Sequence, residues 1–409
     1  MTQKRYYFLI LLLGTLSTLG PFSIDMYLPG FPAIAKYLHT SVAEVSLSLS
    51  SFFVGISAGQ LLYGPLLDRF GRKKPLLIGL VLYIIASVGC ISAKTIEMLI
   101  ALRFLQAIGS CAAAVASVAM VRDLFPVKDN AKVFALLMLV VGASPMIAPT
   151  VGGYVTAAFG WQWVFIILAV IAVLILVSVV VSLPDSYQPD PTFSLKPGPI
   201  LKNFQSVIIE PQFYTYAIAG AMAFSGLFAY VSGSPLVFMD VFRVNGKVYG
   251  WIFALLSVGF IGSSQVNNLL LKKYDSERIL PVAFLMQMIV SAIFFAGASL
   301  GWFGLYGTIV MLFLFLSCLG IINPNASALS IAPFSKNAGT ASSLMGAMQL
   351  GLGALASAGV SLFNTRSAMP MAAIIAGTSL IGVLALFIGR KNIKEHFKPD
   401  PAEEAIMVH

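Results

Sequence analysis

Gly20-Pro21-Phe22-Ser23-Ile24-Asp25-Met26-Tyr27-Leu28-Pro29-Gly30-Phe31-Pro32 closes a long apolar run that begins near Tyr6. Asp25 puts a carboxylate where the run's length and composition put hydrocarbon. An ionised Asp at mid-bilayer costs roughly 2.5–3.5 kcal/mol on insertion scales, so this side chain calls for a cavity or a partner charge rather than lipid. Pro21 lacks a backbone donor and bends or breaks a helix unless neighbours compensate. Pro21, Asp25 and Pro29 are spaced four apart, which puts all three on one face of a continuous helix.

The same apolar pattern recurs along the chain. Of 409 residues, 58% are hydrophobic and 10% charged, against about 25% charge in an ordinary soluble protein. The chain reads as an all-α polytopic membrane protein. At about 20 residues per span, twelve helices fit: 6–29, 43–66, 75–93, 97–121, 131–158 and 161–183, then 211–238, 247–271, 279–299, 304–332, 337–363 and 367–390. Residues 1–183 form an expected N-terminal six-helix bundle and 211–390 a C-terminal one. The Pro-rich stretch 184–210 is too polar to span and reads as a linker, and 391–409 as a tail.

Span starts in the two sets differ by about 204–208 residues, a rhythm that implies an internal repeat of six helices around a midplane site. Phe125-Pro126-Val127-Lys128-Asp129-Asn130-Ala131 and Ala332-Pro333-Phe334-Ser335-Lys336-Asn337-Ala338 share Pro and Asn-Ala at one offset. With the N-terminus inside, only Lys36, Lys94, Arg243, Lys247 and Arg366 fall outside, and Arg103 stays in the membrane. The positive-inside rule therefore puts both termini in the cytoplasm. The net charge of +9 then belongs to topology and lipid headgroups, not to nucleic acid. Cys90, Cys111 and Cys318 sit in apolar runs at no motif spacing, so neither a disulfide framework nor a metal site is expected.

Three stretches carry chemistry. After the second span, Gly64-Pro65-Leu66-Leu67-Asp68-Arg69-Phe70-Gly71-Arg72-Lys73-Lys74-Pro75 combines glycines for close approach and a tight turn with a charge cluster at a helix end. The fourth span contains Leu102-Arg103-Phe104-Leu105-Gln106-Ala107-Ile108-Gly109; Arg103 lies well inside a span and needs several acceptors. Its depth is broadly that of Asp25, so the two can meet directly or through water. The fifth span holds Val141-Gly142-Ala143-Ser144-Pro145-Met146-Ile147-Ala148-Pro149-Thr150-Val151-Gly152-Gly153, small residues and two prolines that permit close packing and bending.

These motifs resemble the major facilitator superfamily. The Asp68, Arg69, Gly71, Arg72 and Lys73 cluster with Gly64 is similar to that family's signature between helices 2 and 3, where it latches the cytoplasmic side. Arg103 to Gly109 resembles its fourth-helix motif, with Ala107 where Gly is common. Gly142, Pro145, Pro149, Gly152 and Gly153 look like the antiporter signature of drug-exporting facilitators. Ser-Ile-Asp-Met-Tyr-Leu-Pro at 23–29, with Ala338-Gly339-Thr340-Ala341-Ser342-Ser343-Leu344, resembles the Bcr/CflA group of bicyclomycin and chloramphenicol exporters. The resemblance implies proton-driven export of small antibiotics across the bacterial inner membrane by a monomer, with small-molecule drugs, protons and membrane lipids as partners.

Independently of family, Asp25 is the only acid well inside a span, since Glu97 and Asp240 sit at span ends. Such a carboxylate can load and release a proton as water access alternates. Asp25 and Arg103 are therefore the expected proton-coupling residues. Phe22, Met26, Tyr27, Phe224, Phe228, Tyr230, Asn323, Asn325 and Gln349 are candidate substrate contacts, because apolar walls with a few polar anchors suit varied amphiphilic ligands. Ser46, Ser48, Ser50 and Ser51 read as packing residues. No cofactor is expected; protons are the coupling ion. Export of a native metabolite is the main alternative. The phosphate loop of an ATP-driven pump is missing from the sequence, as are the paired carboxylates or metal cluster of a membrane enzyme, and the duplicated, proline-bent pattern disfavours a channel.

Overall fold

A computed structural model describes residues 3–125, 127–184, 187, 189, 197–334, 338–363, 367–393 and 397. Residues 185, 186, 188 and 190–196 of the expected linker lie outside these. So do 394–396 and 398–409 of the tail, Arg366, and Pro126 and 335–337 of the repeat match.

Among the described residues, twelve helical stretches are long and apolar enough to cross a membrane. In lipid, every backbone N–H and C=O must be paired within the chain, and helices achieve this segment by segment. α1 (Gln3–Asp25), a 3₁₀ turn (Leu28–Gly30) and α2 (Phe31–Tyr37) together make the first span. α3 (Val42–Phe70), α4 (Lys73–Ile91), α5 (Ile96–Leu124), α6 (Val127–Phe159) and α7 (Gln162–Ser182) complete the first set. The second set is α9 (Pro211–Pro235), α10 (Gly246–Leu271), α11 (Ser276–Ser299), α12 (Leu305–Ile331), α13 (Ala338–Leu362) and α14 (Met369–Gly389). Between them lies a helix that sequence reading left as plain linker, α8 (Pro197–Ile208). It is too short to span, and it is held by Val207, which is fully buried in a small cluster with Phe213, Ala217, Ile331 and Ala341.

Helix starts are set by local capping. Ser41 and Glu44 form a reciprocal capping box at α3, Thr95 accepts from Met98 N at α5, and Asn245 accepts from Val248 N at α10. Gly71 ends α3 at φ +79°, a conformation that favours glycine.

One expectation about the first span is corrected. α1 passes through Pro21 without stopping and ends at Asp25, and Pro29 sits in the 3₁₀ turn. The α-helical spacing that would align Asp25 with Pro29 therefore does not extend that far.

Two seams join the sets: α3 against α13, and α6 against α10. Along the first, Ser46 bonds to Ser361, Ser50 Oγ meets Ser357 Oγ at 2.7 Å, and Ser57 donates to Ala347 O at 2.9 Å. Ser46 and Ser50 thus do more than pack within their own bundle. Ser48 bonds Tyr27 and Ser51 donates to Ile100 O, both within the first set.

At the face that carries the start of α1 and the α3–α4 turn, the molecule holds a cavity of about 570 Å³. Gln60, Asp68, Arg122, Asp123, Asn203 and Thr340 are among its walls. At the opposite face the two sets are packed together through α6 and the start of α10.

Candidate functional site

Asp25, the last residue of α1, is 6% exposed. No hydrogen bond or ion pair is made by its carboxyl group among the described residues. Ser23, two residues earlier, is turned into the first bundle, where its Oγ shares a 2.6 Å hydrogen bond with Tyr83 Oη of α4. Two residues correspond to about 200° around a helix, so Asp25 points away from that bundle. It lies within electrostatic reach of the phenols of Tyr230 on α9 and Tyr249 on α10. The 3₁₀ turn that follows packs on α6, α9 and α10. Asp25 therefore sits between the two sets of helices.

Arg103 is fully buried on α5. Its Nη1 donates to Gln106 Oε1 at 2.6 Å and its Nη2 to Ser23 O at 3.0 Å. Gln106 Nε2 donates to Ser87 Oγ at 2.8 Å, and Ser87 donates to Tyr83 O. The guanidinium carbon lies 4.2 Å from the Phe52 ring centre and 4.6 Å from that of Tyr27. An aromatic cage with neutral acceptors thus replaces the carboxylate partner. The expected meeting of Arg103 with Asp25 does not occur here. Arg103 reaches the level of Ser23 on α1, but Asp25 leaves α1 on the side away from it, and depth does not fix azimuth.

The expected substrate contacts fall in different settings. Met26 and Tyr27 are buried; Tyr27 Oη bonds Ser48 Oγ at 2.9 Å. Asn325 is a helix clamp rather than a cavity wall, since its Nδ2 donates to Asn267 Oδ1 of α10 and to Ile321 O, both at 2.7 Å. Gln349 Nε2 donates to Asn323 Oδ1 at 3.2 Å, and both side chains are partly accessible, as are Phe22 and Phe224. Phe228 crosses between the sets: its ring meets Phe53 of α3 edge-on at 4.3 Å and fills the notch left by Gly353 on α13. Tyr230 stacks on Phe253 at 5.4 Å. None of these nine residues borders the 570 Å³ cavity, which lies nearer the helix ends.

The charge cluster of the α3–α4 turn is assembled around Arg72. Its Nη1 donates to Asp68 Oδ1 at 2.7 Å and its Nε to Asp123 Oδ2 at 2.9 Å, and its guanidinium lies 4.2 Å from the Tyr187 ring centre. Burial disfavours the Arg72 charge, but the bonds to Asp123 and Asp68 outweigh it and raise its pKa above the ordinary arginine value. Lys73 Nζ donates to Leu183 O at 2.8 Å, tying the turn to the end of α7. Arg69 lies 5.9 Å from the Phe70 ring centre. Gly71 makes the turn, whereas Gly64 has open space beside it and makes no close approach. Asp123 was the member of this cluster that sequence reading missed; its position at the last turn of α5, beside Arg122, was the available signal.

In α6, Gly152 and Gly153 are the close-contact points. A Cβ on Gly152 would collide with Met26 O, and one on Gly153 with Gly246 O at the start of α10. The first contact lies within the first set; the second joins the two sets at the face opposite the cavity. Pro145 and Pro149 lie inside the continuous α6, and Gly142 has nothing near it.

Comparison with known proteins places these features in context. The family model described as Major Facilitator Superfamily matches residues 12–358. The "Uncharacterized MFS-type transporter YdgK" of Bacillus subtilis is 34% identical over 94% of this chain and 96% of its own length. The "Bicyclomycin resistance protein homolog" of Haemophilus influenzae is 31% identical over 96% of this chain and 98% of its own. The "Multidrug resistance protein MdtL" of Escherichia coli is 30% identical over 81% and 83%. Among solved structures, a bacterial homologue of the human lysosomal transporter Spinster, in an inward-facing and occupied conformation, aligns with a TM-score of 0.77. It covers 98% of this chain and 100% of that one at 15% identity. A D-xylose-proton symporter aligns with a TM-score of 0.70 at 15% identity, covering 96% and 98%. At such identities the structural likeness concerns the fold alone.

Proposed function

Because the chain belongs to the Major Facilitator Superfamily, a family of multi-pass membrane transporters rather than enzymes, we propose that it is a proton-coupled exporter of small antibiotics. Asp25 is the proton carrier in this reading. The observation that supports it most is a buried carboxyl group, without a partner charge among the described residues, placed where the two sets of helices meet. A permanent ion pair would fix the charge of such a group, whereas an unpaired one is free to exchange its proton when water reaches it.

The names of the Haemophilus influenzae and Escherichia coli relatives, bicyclomycin resistance and multidrug resistance, support antibiotics as the cargo. The Gly142–Gly153 motif supports exchange over symport. The protein works as a monomer among lipids in the bacterial inner membrane, with both termini and the linker in the cytoplasm. No cofactor is required; the proton gradient supplies the driving force.

In this orientation the 570 Å³ cavity opens inward, and the contact of Gly153 with Gly246 closes the outer face. Drug enters from the cytoplasm between α9, α12 and α13, where Phe224, Asn323 and Gln349 present aromatic and amide groups. Its arrival displaces the Asp25 proton, and rocking of the halves exposes the site outward, where Asp25 reloads. Arg103 holds the end of α1 through Ser23 O and so sets where Asp25 stands.

Drug-induced proton release from detergent-solubilised protein tests this reading. Release upon adding chloramphenicol or bicyclomycin is expected from the wild type and not from Asp25→Asn. Export of either drug by energised vesicles without any Asp25-dependent release would overturn it.

A further inference from the structure

We propose that the 570 Å³ cavity is a loading subsite for uncharged small molecules that carry several hydroxyl or amide groups, with Thr340, Ser342 and Ser343 of α13 as its hydroxyl wall. This rests on the chain being an exporter of small molecules, and it gives the Ala338–Leu344 stretch a role of its own.

The cavity is a wedge between α3 and α13. Where these helices are tight, Ser57 donates to Ala347 O at 2.9 Å, and Gln60 Oε1 stands where a Cβ on Gly346 would be. One turn further along, toward the start of α13, they part. The walls there are Leu61 to Asp68 on one side and Gly339 to Ser343 on the other. A Cβ on Gly64 or on Gly339 would meet nothing within 4 Å, so both glycines leave room. α5 adds Val115 and Val118, and α8 adds Asn203 and Phe204. The volume lies within the roughly 300–1,000 Å³ of small-molecule sites.

The lining decides the chemistry. Gln60, Asn203, Thr340, Ser342 and Ser343 all border the cavity, and their side chains make no hydrogen bond among the described residues. Higher on α13 the hydroxyls are committed instead: Ser357 meets Ser50, and Ser361 bonds Ser46. The free groups are neutral donors and acceptors, each able to exchange water for a ligand hydroxyl or amide. The charged groups of the wall recruit little. Arg72 is engaged by Asp68 and Asp123 at 2.7 and 2.9 Å, and Arg122 is exposed, where water screens it. Leu61, Val118 and Phe204 supply the apolar surface against which such a molecule rests. Because the walls come from both sets of helices and from α8, closing of the inner face would empty the subsite toward the centre of the molecule.

The test is protection of a cysteine placed in the cavity of the purified full-length protein. Val118 borders the cavity, is 37% exposed and has no polar role, so Val118→Cys reports occupancy. Ser206→Cys, exposed on α8 and outside the cavity wall, is the control. Chloramphenicol, an uncharged amide diol, is expected to slow maleimide labelling at 118 several-fold and to leave labelling at 206 unchanged. Adding Thr340→Val, Ser342→Ala and Ser343→Ala together is expected to raise the half-protecting concentration about tenfold or more. Asn203→Ala, in a helix outside the spans, probes the same wall should the triple variant misfold, with a several-fold rise expected. Unchanged labelling at 118 under drug that still releases a proton overturns the subsite and leaves the exporter reading standing. Protection with the same half-point in the wall variants also overturns it, since occupancy elsewhere would then be acting at a distance. Neither protection nor proton release with any drug tried would bring down both.

Discussion

Ser23 and Asp25 stand two residues apart on α1 and face opposite halves of the molecule. Ser23 bonds Tyr83 through its side chain and accepts from Arg103 through its carbonyl. Asp25, about 200° further round the helix, leaves it on the side away from that bundle. The short segment between them separates Arg103, locked into a neutral and aromatic cage, from Asp25, which has no ion-pair partner among the described residues.

This separation predicts that Arg103 substitutions damage structure before they damage proton exchange. Lys carries one compact ammonium group. It cannot reproduce the fork that reaches Gln106 and Ser23 together, nor stack on Phe52 and Tyr27. Losing one or two charge-assisted hydrogen bonds of this kind costs roughly 2–4 kcal/mol. Arg103→Lys is therefore expected to lower the thermal midpoint in detergent, while the molecules that remain folded still release a proton on drug addition. A normal midpoint with no proton release would show that Arg103 acts on Asp25 directly.

The α3–α13 seam predicts a lock. Ser50 Oγ and Ser357 Oγ are 2.7 Å apart on opposite halves, and paired cysteines at such positions suit disulfide geometry. Ser50→Cys with Ser357→Cys is expected to cross-link under mild oxidation and to lose drug export, with recovery after reduction. Cys90, Cys111 and Cys318 are buried and do not compete. Full export by the cross-linked protein would mean that this seam does not move.

Closure of the outer face predicts the effect of one methyl group. Gly153→Ala drives a Cβ into Gly246 O at the start of α10, a backbone atom of the other set that cannot swing aside. The variant is expected to favour the outward-open arrangement, so that a cysteine at Ser50 is labelled several-fold faster by an impermeant thiol reagent added from outside. Labelling at the rate found with Gly153 present would contradict the closing role of this glycine contact.

Much of the architecture was legible in the chain because a bilayer sets the length of apolar runs, and lipid leaves helices as the economical way to satisfy their backbones. The twelve spans and the turn at Gly71 followed from that and from local stereochemistry. What depends on rotation about a helix axis was not legible. Arg103 does reach the level of Ser23 on α1, yet Asp25 leaves on the other side, because where α1 stops and which way it turns are decided by packing against α6, α9 and α10. Asn325 looked like a cavity amide, and only the three-dimensional partner, Asn267 on α10, identifies it as a clamp. Ser46 and Ser50 looked like filler until their mates at 361 and 357, some three hundred residues away, were brought opposite. α8 was hidden by the prolines around it and is defined by the docking of Val207.

Proton exchange at Asp25 is tested most directly by following pH in a weakly buffered solution of purified protein while chloramphenicol or bicyclomycin is added. The wild type is expected to acidify the medium by an amount that saturates with drug, and Asp25→Asn is expected to leave the pH unchanged while remaining folded. Equal acidification by both proteins would contradict the assignment and move the exchangeable proton to another group.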